Sequence, residues 1–175
     1  MIIKSFELSK IDFRKNKFFL AYGENQGAKN ELIDLIIKKK NNIFRYYENE
    51  IISNPENFYN TISTKSFFDD EKIIIIKKVT NKILKVFEAI YEKKYEDISL
   101  VLDSEALDKK SKLRSIFEKE DNLVCIPFYP DTQKTLDIIT NKFLREKKIS
   151  ISQESINIIT DRSNGSRETC KVKFP

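Results

Sequence analysis

Short apolar runs alternate along this chain with segments whose apolar positions recur at helical spacing. The first run, Lys17-Phe18-Phe19-Leu20-Ala21-Tyr22, stops at Gly23 and predicts a buried strand. From about Gly27 to Lys40 the residues Ala28, Leu32, Leu35 and Ile36 mark one helix face. Lys38 to Lys40 suit the negative end of that helix as a solvated terminus, and Asn41-Asn42 breaks it. Ile43 to Tyr47 predicts a second strand, with Tyr46 and Tyr47, like Phe18 and Phe19, as core or strand-edge aromatics. Asn54-Pro55 is a cap followed by proline, and opens a helix carrying Phe58, Tyr59 and Ile62. Ile73 to Ile76 is the strongest strand signal. Four β-branched residues in a row imply burial on both faces, as in the middle of a parallel sheet.

The alternation continues with a helix from about Asn81 to Lys94 and a strand from Ile98 to Leu102. A helix from about Lys109 to Lys119 and a fifth strand, Leu123 to Phe128, follow. Pro127 and Pro130 then punctuate the chain, and the strands stop. Thr132 to Lys147 and Ser152 to Ser163 read as amphipathic helices. Five strands separated by helices predict a three-layer α/β domain on a mostly parallel sheet with right-handed crossovers. We place it over residues 1–130, with the start of a small helical domain over 131–175.

Composition narrows the chemistry. The chain has no histidine, which removes Ser-His-Asp triads, Cys-His dyads and histidine metal ligands. Cys125 and Cys170 are too far apart for a Cys-x-x-Cys motif, and Cys125 lies in an apolar strand as an inert buried thiol. A reduced cytoplasmic protein with no metal site is expected. The longest aliphatic run is four residues, against roughly 20 for a membrane span, and the N-terminus lacks the apolar stretch of a signal peptide. The net charge of +5 reflects a lysine-rich, isoleucine-rich composition with A/T-rich codons, and forms no concentrated basic stripe for nucleic acid.

The first strand-turn-helix carries the only candidate nucleotide site. Its sequence, Gly23-Glu24-Asn25-Gln26-Gly27-Ala28-Lys29-Asn30, lies where a working phosphate loop reads G-x-x-x-x-G-K-S/T. Gly23 and Lys29 occupy the first glycine and the lysine, with Gly27 beside them. Ala28 replaces the second glycine, and Asn30 replaces the hydroxyl that binds magnesium. The third strand, where an acid should hold the metal's water, ends in Lys77-Lys78. Asp103-Ser104-Glu105 closes the fourth strand, and strand order argues against its being that acid. The loop therefore reads as vestigial, with no catalytic residue and no cofactor.

Several segments in order resemble one family, the delta subunit of the bacterial DNA polymerase III clamp loader. Phe18 to Glu24 is similar to its opening strand and turn, and Ser66 to Ile76 to the short helix feeding its third strand. Leu100 to Leu113, with Asp108-Lys109-Lys110-Ser111-Lys112-Leu113, resembles its fourth strand and the stretch after it, and Val124 to Phe128 fits its fifth. The resemblance implies an AAA+-type (RecA-like) domain without ATPase activity, a small lid domain and a helical collar. It implies a subunit of a DNA-directed DNA polymerase complex that binds and opens the sliding clamp during DNA replication. Its partners would be the clamp, the other clamp-loader subunits and, through the complex, DNA. It also implies that Ser66, Phe67 and Phe68 plug a pocket on the clamp, with Phe67 where leucine is common. Read on their own, Phe67 and Phe68 sit between Lys65 and Asp69-Asp70-Glu71, and cannot easily both face one core.

Two other readings stay open on the residues: a P-loop ATPase tolerating a degenerate loop, and a sequence-independent DNA-binding module. The C-terminal run Thr169 to Pro175 shows no helical apolar face. One base deleted from codons for Glu-Asn-Leu-Gln-Ser-Glu-Ile-Ser yields the observed Glu-Thr-Cys-Lys-Val-Lys-Phe-Pro. We therefore expect a lid cut short by a frameshift, with the collar absent.

Overall fold

A computed structural model describes residues 1–38, 42–64, 71–95 and 97–172. Five strands, β1 (Phe18–Tyr22), β2 (Ile43–Tyr47), β3 (Lys72–Lys77), β4 (Ile98–Ser104) and β5 (Leu123–Pro127), form one sheet in the order β2-β3-β4-β1-β5. Every pairing is parallel. The helices among them are α1 (Gln26–Ile37), α2 (Glu48–Ser53), α3 (Pro55–Ser63), α4 (Leu84–Glu92) and α5 (Lys112–Lys119). Beyond β5 lie α6 (Gln133–Lys147), α7 (Gln153–Asp161) and α8 (Arg167–Val172).

The pleat divides the strand side chains between two cores, because successive residues point to opposite faces. Phe18, Leu20, Tyr22, Ile74, Ile76, Leu100, Leu102 and Cys125 meet the residues of α2 to α5, among them Ile51, Phe58, Phe87 and Phe117. Phe19, Ala21, Ile73, Ile75, Val101, Val124 and Ile126 meet Ala28, Leu32, Ile33 and Ile36 of α1, with Ile3 and Ile11 of the N-terminal segment. Ile73 to Ile76 are essentially inaccessible, as their β-branched run implies. Each contributes about 1.5–3 kcal/mol by leaving water. The helices after β5 form a smaller layer: α6 packs against α7 and α8, and α8 also touches α1.

The differences from the sequence reading have local causes. Helix α1 ends at Ile37 with Lys38 turning out of helical conformation, so Lys38 follows the last turn. Lys39 and Lys40 lie outside the described residues. A short helix, α2, follows β2 directly; the Tyr47 amide donates to Glu50 Oε2 at 2.7 Å, and Ile51 seals its inner face. Helix α5 begins later than its apolar pattern suggests, because Ser111 caps it by accepting from the Arg114 amide at 3.3 Å. Strand β4 runs past Leu102 through Asp103 to Ser104. The run around Thr169, expected to be non-helical, forms α8, with Cys170 buried. Tyr47 is exposed, while Phe18, Phe19 and Cys125 are buried as expected. Burial pushes the Cys125 thiol up to about 12, with the Glu118 charge adding to it, which keeps it protonated and inert.

Candidate functional site

The phosphate-loop sequence sits where its pattern places it, between the C-terminal end of β1 and the first turn of α1. Gly23 makes the turn possible. Its φ is +124°, and a Cβ there would lie 2.2 Å from the Phe128 carbonyl oxygen, closer than any side chain permits. That approach is held by hydrogen bonds from the Phe128 amide to the Tyr22 carbonyl at 2.7 Å and from the Asn25 amide to the Phe128 carbonyl at 3.3 Å.

An open loop of this kind offers amides and a lysine to an anion. Here those groups are largely engaged within the chain. Asn25 is the N-cap of α1, its side-chain oxygen accepting from the Ala28 amide at 3.0 Å. The Lys29 amide donates to the Asn25 carbonyl at 3.1 Å and the Gln26 amide to the Glu24 carbonyl at 2.9 Å. The Lys29 ammonium is buried, 2.7 Å from Asp103 Oδ1, and donates to the Ser104 carbonyl at 2.8 Å. Gln26 Nε2 donates to Asp103 Oδ2 at 3.1 Å and to Asn30 Oδ1 at 3.1 Å. Asn30, which stands in for the magnesium-binding hydroxyl, donates to Glu168 Oε1 at 2.8 Å.

A cavity of about 240 Å³ remains beside Lys29, lined by Gln26, Asn30, Tyr47, Lys77, Lys78, Asp103 and Glu105. Lys77 and Lys78 stand at the end of β3 as the sequence indicates, with Lys77 in register with Asp103. The arrangement thus presents cations where a metal's acid is needed. Its acid, Asp103, is spent on Lys29. Among the described residues, no group of three or more acidic or thiol side chains is placed to hold a metal ion. Nor is any described helix long and apolar enough to cross a membrane.

The structure therefore brings together Gly23, Gln26, Lys29 and Asn30, and adds Asp103, which strand order had set aside. Strand β4 lies directly beside β1, so its end faces the loop. Sequence reasoning also missed Asp131, Glu31 and Arg167. Asn25 Nδ2 donates to Asp131 Oδ2 at 2.8 Å, and Arg167 pairs with both carboxylates. The expected clamp-contact residues Ser66, Phe67 and Phe68 lie outside the described residues. Their flanks are well held. Lys72 is buried, and its ammonium caps the end of α3, donating to the carbonyls of Thr61 at 3.1 Å, Ile62 at 3.2 Å and Thr64. Glu71 accepts from Ser99 Oγ at 2.6 Å and pairs with Lys17.

The family model described as DNA polymerase III, delta subunit, matches residues 19–127. The chain belongs to the DNA polymerase III delta subunit family. The matched stretch covers all five strands but for Phe18, the first residue of β1. Among solved structures, the Bacillus subtilis DNA clamp loader delta protein superposes with a TM-score of 0.67 at 15% identity, over 95% of this chain and 55% of that one. A Thermotoga maritima RuvB superposes with a TM-score of 0.59 at 14% identity, over 95% of this chain and 57% of that one. Domain III of the Thermotoga maritima replication initiation protein DnaA gives a TM-score of 0.50 at 13% identity, over 95% and 77%. The fold is accordingly the AAA+, RecA-like α/β fold, and the chain spans about half the length of the clamp loader delta protein it matches. No curated protein matches the sequence.

Proposed function

We propose that this delta-family chain is a non-catalytic clamp-loader component that binds the sliding clamp and favours its opened ring, leaving ATP hydrolysis to other subunits. The observation that carries the reading is the family match over residues 19–127. The chemistry of the loop supports the non-catalytic half: Lys29 is tied to Asp103, and Lys77-Lys78 end the strand where a metal's acid would stand. We read 1–130 as the AAA+-like domain and 131–175 as the lid. A binder of this kind works by preference. It shifts the ring toward opening only by as much as it binds the open form more tightly.

Ser66, Phe67 and Phe68 are the proposed clamp contact. The capped end of α3 and the anchored Glu71 support it, because they hold the chain on both sides of that segment. Burying each phenylalanine on a partner is worth about 1.5–3 kcal/mol. Removing both should weaken binding by about a hundredfold or more. The test is titration of the cognate sliding clamp with wild-type chain and with Phe67→Ala/Phe68→Ala. A folded double variant that binds as tightly as wild type refutes the site. Absence of clamp binding by the wild type refutes the function.

A further inference from the structure

One side of the phosphate loop, at Gly27 and Asn30, is covered by the chain's own side chains. Arg167, the first residue of α8, packs against Gly27. Its Nε and Nη2 donate to Asp131 at 2.8 and 2.6 Å, a bidentate pair, and its Nη1 donates to Glu31 on α1 at 2.7 Å. The Asp131 side chain is only 4% exposed and that of Arg167 13%. Burial pulls the Arg167 pKa down, but the bonds to Asp131 and the charge of Glu31 outweigh it and leave it raised, so the charge is retained. The stem of Arg167 rests on Gly27. A Cβ at that glycine would lie 2.7 Å from Arg167 Cγ. The rest of α8 follows the same path: Glu168 accepts from Asn30, and Lys171 pairs with Glu31.

We infer that Arg167 is a positioning residue: it locks α6 to α8 onto the α/β layer through the emptied phosphate loop, so that an internal ion-pair cluster, and not a nucleotide, sets how the two parts sit together. A polyphosphate in the cavity beside Lys29 meets a lysine already paired with Asp103, and could gain Arg167 only by breaking its bonds to Asp131 and Glu31. The bidentate pair with Asp131 joins α8 to the start of α6 and fixes the guanidinium's orientation, so that its third nitrogen reaches Glu31; the contacts that cross to the α/β layer are Arg167 and Lys171 to Glu31, Asn30 to Glu168 and Asn25 to Asp131. This goes beyond the clamp-binding reading and stands independently of it.

The test is a distance measurement across the two parts. Glu88 on α4 and Glu154 on α7 are exposed, whereas Cys125 and Cys170 are fully buried. Spin labels on Glu88→Cys and Glu154→Cys should therefore report one narrow distance distribution, unchanged by millimolar Mg-ATP. Arg167→Met keeps the stem and deletes the charge. It should at least double the width of that distribution while the circular dichroism stays native. Asp131→Asn, which leaves the bond to Glu31, should broaden it less. An unchanged width in folded Arg167→Met overturns the inference, as does a wild-type distribution that shifts with Mg-ATP. Should Arg167→Met fail to fold, Glu31→Gln, which weakens the crossing pairs with both Arg167 and Lys171, decides alone, and an unchanged width there overturns the inference.

Discussion

Replacing Lys29 by methionine keeps the side-chain stem and removes the ammonium. In an ATPase that change abolishes turnover and leaves the fold alone. Here the expected effect is on stability. Lys29 and Asp103 are almost wholly buried and 2.7 Å apart. Without the ammonium, the Asp103 carboxylate keeps, among the described residues, its bond from Gln26, and the Ser104 carbonyl loses the Lys29 donor. Breaking a buried pair by removing one partner costs about 3–5 kcal/mol, because the other charge stays uncompensated. With a urea m-value of about 2 kcal/mol/M, the unfolding midpoint should fall by about 1.5–2.5 M. Lys29→Met/Asp103→Leu removes both charges at similar volume. It should recover most of that loss, since replacing a whole buried pair by apolar groups is often near neutral. With Asp103→Leu as the second single variant, the cycle isolates the coupling. A midpoint for Lys29→Met within about 0.3 M of wild type, or a double variant no more stable than the single, would refute the view that this lysine is now structural.

Gly23→Ala should cost more than about 3 kcal/mol or prevent folding, because its Cβ would collide with the Phe128 carbonyl at a backbone angle that side chains avoid. An unchanged melting temperature would show that β1 and the end of β5 do not approach this closely. Alkaline pH should also destabilise the chain. The Cys125 thiol, pushed up to about 12 by burial, sits above its unfolded value of about 8.5, so the stability it provides is complete below about pH 8.5 and is lost as pH rises toward 12. Cys125→Ala should flatten the fall of the urea midpoint between pH 8.5 and 11, and an unaltered slope would count against that assignment.

The sheet was legible because its strands are apolar runs bounded by glycine, asparagine or charge. Ile73 to Ile76 could hardly be anything but an interior strand. Helix α2 was hidden because it begins at Glu48, with no loop after Tyr47 to announce it. The departures of the phosphate loop from its working pattern, at Ala28, Asn30 and Lys77-Lys78, were readable in the sequence. What the loop's groups bind instead was not. Asp103 reaches Lys29 only because β4 inserts beside β1, and strand order is a property of the folded sheet. Arg167 meets Glu31 across most of the chain's length, and an arginine opening a short helix carries no sign of so distant a partner.

The strand order also sets a timetable for synthesis. Strand β1 lies between β4 and β5, and its register pairs Phe18 with Leu100 and with Leu123. At about 5–20 residues per second, β1 leaves the ribosome some 4–16 s before its first hydrogen-bonded neighbour exists. Strands β2 and β3 are adjacent in both sequence and sheet and can associate meanwhile. They form one flank of a sheet whose middle is still missing, with the isoleucines of β3 uncovered on one edge. The arrival of β4 joins that flank to the waiting β1 in a single step. The N-terminal amine then seals the far edge by donating to the carbonyls of Glu120 and Leu123. The domain's period of greatest exposure to aggregation is thus fixed by the delay between its first strand and its fourth.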